Sequence, residues 1–216
     1  MRSIIEVTID AARVKGLRNG ENPARMRGNL ALVLPRSKSL SRGHNAALPY
    51  ATIPMLMRKL ETESGVVTRA MRLAILCALR KSETYNLRWS DVDAASKVLT
   101  IPAERMKGGR MHRVPLSAPA LAVLEEQRAK SGTRDFVFPS PYKDGLGHLN
   151  PGAFNDMLER LGVDATPHGI ARSSFKDWAA ECTDFPNEVS EAALAHAIGD
   201  ATERAYRRGD LFEKRR

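Results

Sequence analysis

The segment VVTRAMRLAILCAL, residues 66 to 79, constrains this chain more than any other stretch of it. It keeps a helical period yet carries apolar side chains on most of its faces, so it has to lie at the centre of a packed domain. Leu73 to Leu79 is the longest apolar run in the sequence, and it is far too short to cross a membrane. Other helical segments would surround it. One is expected at 54 to 63, entered through Pro54, another from Pro119 to Lys130, and a third led by Asn150-Pro151 as cap and first turn and reaching Leu161. Residues 2 to 15 read as an amphipathic helix with Ile4, Ile5, Ile9 and Ala12 on one stripe, stopped by Gly16. Extended pattern enters in VLTIPAE and MHRVPLS, joined across Gly108-Gly109, which reads as a hairpin, and in the short piece FVFPS.

Charge narrows the partner. The 216 residues hold 34 Lys and Arg against 25 Asp and Glu, a formal charge of +9, which favours a polyanion such as nucleic acid. Only two cysteines occur, Cys77 and Cys182, without metal-ligand spacing, so neither a zinc site nor a disulfide framework is expected and a reducing cytoplasm fits. No secretory signal or membrane span is recognisable. Residues 35 to 50 form a basic, Ser- and Pro-containing linker in which Arg36, Lys38 and Arg42 are candidates for holding a DNA backbone.

Most of the chemistry lies between Thr166 and Leu211. His168 and Arg172 are four apart at the head of a helical segment, so both can address one small anion. His196 ends an apolar helix begun at Pro186. Tyr206 follows ten residues later among Arg204, Arg207 and Arg208, on a short helix capped by Asp200 and Glu203. Two further cations sit at bends. Arg80 stands where the 66 to 79 helix gives way to a short one, capped by Ser82 and containing Glu83, and Lys107 stands on the lip of the hairpin turn. His44, His112 and His148 are left as structural or exposed, and Trp89 and Trp178 as core anchors.

RKSE at Arg80, ERMKGGRMHRVPLS around Lys107, PHGIARSSFKDWAAE, LAHAIG and ERAYRRGDLFEKRR occur in that order, and together they resemble the tyrosine recombinases, specifically the integrases of temperate phages and genomic islands. The likeness covers about residues 45 to 216 and, more loosely, the N-terminal helix and GENPARMRG. It implies a mainly α (α+β) fold: a multi-helix catalytic domain with a small antiparallel β-sheet at 51–216, behind the 35–50 linker and a helical remnant of a core-binding domain at 1–34. By motif, Arg80, Lys107, His168, Arg172, His196 and Tyr206 are the catalytic set. Double-stranded DNA is the implied partner, with self-assembly into a tetramer on it, no membrane, and a cytoplasmic setting in a bacterial host or as a phage-encoded protein. No cofactor and no metal is called for.

Two departures from the family pattern stand out. The usual spacing is H-x-x-R, whereas Ala171 holds the third place here and arginine comes one later, an insertion of one residue before Arg172. Only a helix and a linker precede the catalytic region, and ten residues follow Tyr206, which implies a fragment or a decayed gene.

The chemistry that the resemblance implies is attack of Tyr206 on a backbone phosphorus, giving a 3′-phosphotyrosyl intermediate without metal or nucleotide. Arg80 and Arg172 would hold the charge that builds on the phosphate oxygens, and His196 would bond one of them. A phenol with an ordinary pKa of about 10 needs a base, for which His168 is the candidate. Lys107 would return a proton to the leaving 5′ oxygen. Two other readings remain open: a DNA-binding remnant without activity, and a type IB topoisomerase-like enzyme, against which the YRRGDLFEKRR tail speaks.

Overall fold

A computed structural model describes residues 2–34, 46–132, 134–142, 147–197 and 209–216. They belong to two units, Met1–Gly43 and His44–Arg216. In the first, helix α1 (Arg2–Val14) ends at Gly16, whose φ of +69° lets the Leu17 N–H reach back to the Ala12 carbonyl at 2.9 Å. Asn22 ties the following loop to this helix through the Glu6 carbonyl and the Asp10 carboxylate, both at 2.8 Å.

The second unit is arranged around α3 (Val66–Leu76), whose Ala70, Met71, Leu73 and Ala74 are buried. Helix α2 (Ile53–Thr62) covers it with Leu56 and Leu60, and α4 (Lys81–Tyr85) follows at once. A three-stranded antiparallel sheet runs β1 (Val92–Asp93), β2 (Val98–Ile101), β3 (His112–Pro115), in that order. Register places Leu99 opposite Val114 and Ile101 opposite His112, and all four side chains are buried, as strand alternation requires for one covered face. Helix α5 (Ala118–Ser131) starts at Ser117, whose hydroxyl accepts from the Ala120 N–H. Helices α6 (Ala153–Arg160), α7 (Ser174–Cys182) and α8 (Asn187–Ala193) and a last turn, α9 (Phe212–Arg215), follow.

Sequence periodicity located the helices to within a few residues, and the structure shows the expected class, mostly helix with one small antiparallel sheet. Several local expectations need correction. The β2 and β3 runs do pair, but the connection is longer than a glycine turn: Pro102 has no N–H for the ladder and Ala103–Arg105 coil into a 3-10 turn. Strand β1 was not foreseen, because two residues carry no periodic signal. Helix α4 starts from Arg80 and not from Ser82, and α6 starts after Gly152, with the Asn150 side chain accepting from the Gly152 N–H outside the helix. Trp178 is 43% exposed, since α7 turns Ser174 and Ala179 inward instead.

One buried hydrogen bond joins α4 to α6. The Tyr85 hydroxyl accepts from the Phe154 N–H at 2.9 Å while the two rings meet edge to face at 4.7 Å. Tyr85→Phe keeps the ring contact and strands the N–H, so urea unfolding should show a loss of about 1–3 kcal/mol; an unchanged midpoint would contradict this role.

Candidate active site

Helices α3 and α8 end in the same way. Beyond each last turn an alanine takes the left-handed conformation, Ala78 at φ +50° and Ala195 at φ +49°. The next residue reaches back across the turn: Leu79 N–H to the Ala74 carbonyl, and His196 N–H to the Glu191 carbonyl, both at 3.0 Å. This is the closure that glycine usually makes, and an alanine held there costs about 1–2 kcal/mol. The two turns bring the Ala78 and Leu194 carbonyls to either side of one guanidinium.

That guanidinium belongs to Arg172, which is 2% exposed. Its Nη1 donates to the Ala78 carbonyl at 2.8 Å, and its Nη2 to the Leu194 carbonyl at 2.6 Å and to His196 Nε2 at 2.9 Å. Burial first, and the nearby Arg80 second, push its pKa down to about 10, which still leaves it charged at neutral pH. Its Nε–H is buried without an acceptor among the described residues.

Arg80 reaches the same place from the other side. Its Nη2 donates to the Leu194 carbonyl at 3.3 Å, and the Glu83 carboxylate accepts from its Nη1 at 2.6 Å and from its backbone N–H at 2.8 Å. Both arginines therefore meet at one carbonyl oxygen. Glu83 is buried, so the spacing of R-x-x-E on a single helical turn fixes the direction of the Arg80 side chain.

His168 faces solvent at the head of the segment that leads into α7. Burial of part of the ring, with the positive charges of Arg172, Arg80, His196 and Lys107, holds its imidazole below the ordinary histidine range. The same list of cations shows that five of the expected residues share one electrostatic environment. Lys107 is exposed on a turn in which the Gly109 N–H bonds the Met106 carbonyl. Tyr206, the expected nucleophile, and its neighbours Arg204, Arg207 and Arg208 lie outside the described residues, as do Asp200, Glu203, Arg36, Lys38 and Arg42.

The four-residue spacing from His168 to Arg172 has a structural counterpart. Gly169–Ser173 forms a π-type turn, with the Ser174 N–H bonding the Gly169 carbonyl five residues back. Such a turn holds one residue more than an α-turn, so His168 and Arg172 stay together although they are four apart. Gly169 itself is confined: a Cβ there would lie 2.1 Å from the Ala46 carbonyl oxygen, which also accepts from the Thr166 N–H at 2.8 Å.

The sequence reading missed a second layer. Glu191 bonds His196 Nδ1 at 2.8 Å, and Lys176 approaches the other oxygen of that carboxylate at 2.5 Å. His112, left as structural or exposed, is buried in β3. Burial, with Arg215 adding to it, pushes its pKa down to about 4, so the ring is neutral. Asp210 pairs through both oxygens with the Arg113 guanidinium at 2.9 Å, and that guanidinium stacks 4.5 Å above the Phe212 ring, tying α9 to β3. The five-residue spacing from Glu191 to His196 was visible in the sequence; the carbonyls of Ala78 and Leu194 leave no mark in side-chain identity.

The fold is shared with solved DNA integrases. The lambda integrase tetramer bound to a Holliday junction superposes with a TM-score of 0.62 over 97% of this chain and 58% of that one, at 18% identity. Residues 48–210 match the model of the phage integrase family, and the chain belongs to that family. Prophage integrases IntA and IntZ of Escherichia coli (strain K12) are each 38% identical to it, over 76% and 74% of this chain. The chain spans 40% of the length of each of these two relatives.

Two outcomes follow. Gly169→Ala should lower stability by at least about 2 kcal/mol in urea unfolding, because backbone rather than a flexible side chain blocks the methyl. For His112, the folded pKa of about 4 lies below the ordinary 6.5. The unfolded chain therefore takes up the proton first, and the histidine's contribution is whole above pH 6.5 and is lost as pH falls towards 4. Wild type should lose on the order of 3 kcal/mol more than His112→Gln across that window; parallel pH profiles would contradict the assignment.

Proposed function

We propose that this chain is the strand-cutting part of a site-specific DNA recombinase, acting through a 3′-phosphotyrosyl intermediate at Tyr206. The observation that carries the reading is the meeting of the Arg80 and Arg172 guanidinium groups at the Leu194 carbonyl, with His196 bonded to Arg172 beside them. Two cations held within hydrogen-bonding reach of a common point suit a tetrahedral phosphate anion better than any neutral substrate. Family membership and the charge of +9 support DNA as the source of that phosphate.

In this reading Arg80 and Arg172 bind the non-bridging oxygens as charge develops in the transition state. His168, kept neutral by its surroundings, can take the phenolic proton. Lys107, on its exposed turn, delivers a proton to the departing 5′ oxygen. The phosphotyrosyl bond conserves the energy of the phosphodiester, so a second 5′ hydroxyl can reseal the strand without nucleotide or metal. Arg36, Lys38 and Arg42 would hold the duplex from the linker, in a bacterial cytoplasm where DNA is at hand, and copies of the chain would assemble as a tetramer on two duplexes. The proposed parts are a core-binding remnant at 1–34, a linker at 35–50 and the catalytic domain from 51.

The test is a nicked suicide duplex, in which cleavage releases a short oligonucleotide and traps the covalent protein. Wild type should give a detergent-resistant adduct, Tyr206→Phe none, and Arg172→Ala roughly a hundredfold less, the usual loss for one donor to a developing oxyanion. An adduct in Tyr206→Phe would overturn the assignment. Gel-shifted DNA with no adduct from wild type would favour a DNA-binding remnant instead.

A further inference from the structure

His196 is held at both ring nitrogens, and the two partners differ in kind. At Nε2, 2.9 Å away, stands Arg172 Nη2, a group with protons to give and no lone pair to accept one. Nε2 is therefore the acceptor. At Nδ1, 2.8 Å away, stands a Glu191 oxygen, which accepts when ionised. Nδ1 thus carries the proton, and the tautomer of His196 follows from its neighbours.

Glu191 is itself fixed. Lys176 on α7 reaches its other oxygen at 2.5 Å and bonds the Ser190 hydroxyl at 2.8 Å and the Asn187 side chain. The Lys176 and His196 hydrogen bonds hold the carboxyl below its usual range against the opposing effect of burial, so it is ionised at neutral pH. The backbone reinforces the same pair, since the His196 N–H bonds the Glu191 carbonyl at 3.0 Å. A surface ion pair between α7 and α8 would need none of this second connection to the ring.

Building on the recombinase reading, we propose that Glu191, pinned by Lys176, is the positioning residue that sets the tautomer and direction of His196. It turns the Nε2 edge of the ring towards the two arginines. When a phosphate oxygen takes the place of His196 on Arg172, the Glu191 carboxylate behind Nδ1 lets the ring accept a proton from solvent at Nε2 and donate it in a hydrogen bond to that oxygen. Glu191 does not touch substrate. It acts only through His196, much as an orienting carboxylate does behind a catalytic imidazole.

The test uses the full chain, with two readouts. Long-range imidazole proton–nitrogen spectra, with the His196 signal assigned by its loss in His196→Asn, should show Nδ1–H alone in wild type and a tautomer mixture in Glu191→Ala. On the suicide duplex, Glu191→Ala should form adduct about 10–100-fold more slowly, with duplex affinity little changed. Lys176→Met should lose less, and the isosteric Glu191→Gln, which keeps an acceptor oxygen, should recover most of the rate. Retention of pure Nδ1–H in Glu191→Ala, or an unchanged cleavage rate, overturns the proposal. Failure of wild type to form any Tyr206-dependent adduct overturns the recombinase reading and the catalytic role with it, while the spectra still decide whether Glu191 sets the tautomer.

Discussion

A charged guanidinium, 2% exposed and spanning two helix ends, is the interaction on which the site depends. Taking the Arg172 charge out of water is unfavourable by several kcal/mol unless every direction around it offers an oxygen. The Ala78 and Leu194 carbonyls supply two such oxygens, and the negative charges of Glu83 and Glu191 act on it as well. Removing Arg172 would strip the Ala78 carbonyl of this donor and leave the Leu194 carbonyl with Arg80 alone. The residue that would bind the substrate phosphate is thus also the one that fastens α3 to α8.

The backbone around this point is under strain, and the strain has a direction. Both turns place an alanine in a conformation that glycine adopts more easily, and both thereby aim a carbonyl at Arg172. On the far side, Gly169 lets the segment at residues 46–48 pass against the turn that carries His168, where Ala46 and Leu48 accept bonds from Thr166 and Ser174. Residues 46–48 are therefore seated against the segment that carries His168 and Arg172.

Much of this was legible from the sequence because it is local. The 66 to 79 segment could only be central; Gly16 could only stop α1; Glu83, three residues after Arg80, could only sit one turn below it. The insertion before Arg172 was also legible, as one residue too many against the family spacing, although its form as a π-turn was not. What the sequence withheld depends on distant backbone. Nothing in the letters around Ala78 or Leu194 says that their carbonyls will accept from an arginine 94 or 22 positions away. Trp178 was misplaced for the same reason, since which flank of α7 meets the core is decided by elements far from it in sequence. His112 was left as structural or exposed because alternation in β3 says which residues point inward but not what they meet there.

The central claim is that Arg80, His168, Arg172 and His196 enclose a site for a single tetrahedral oxyanion. The most direct measurement is the anomalous scattering of tungstate in crystals of the DNA-free protein. The account predicts one strong peak within hydrogen-bonding reach of the Arg80 and Arg172 guanidinium groups and of the His168 ring, displacing the contact between Arg172 and His196. Peaks elsewhere on the basic surface, with none between the two arginines, would contradict it.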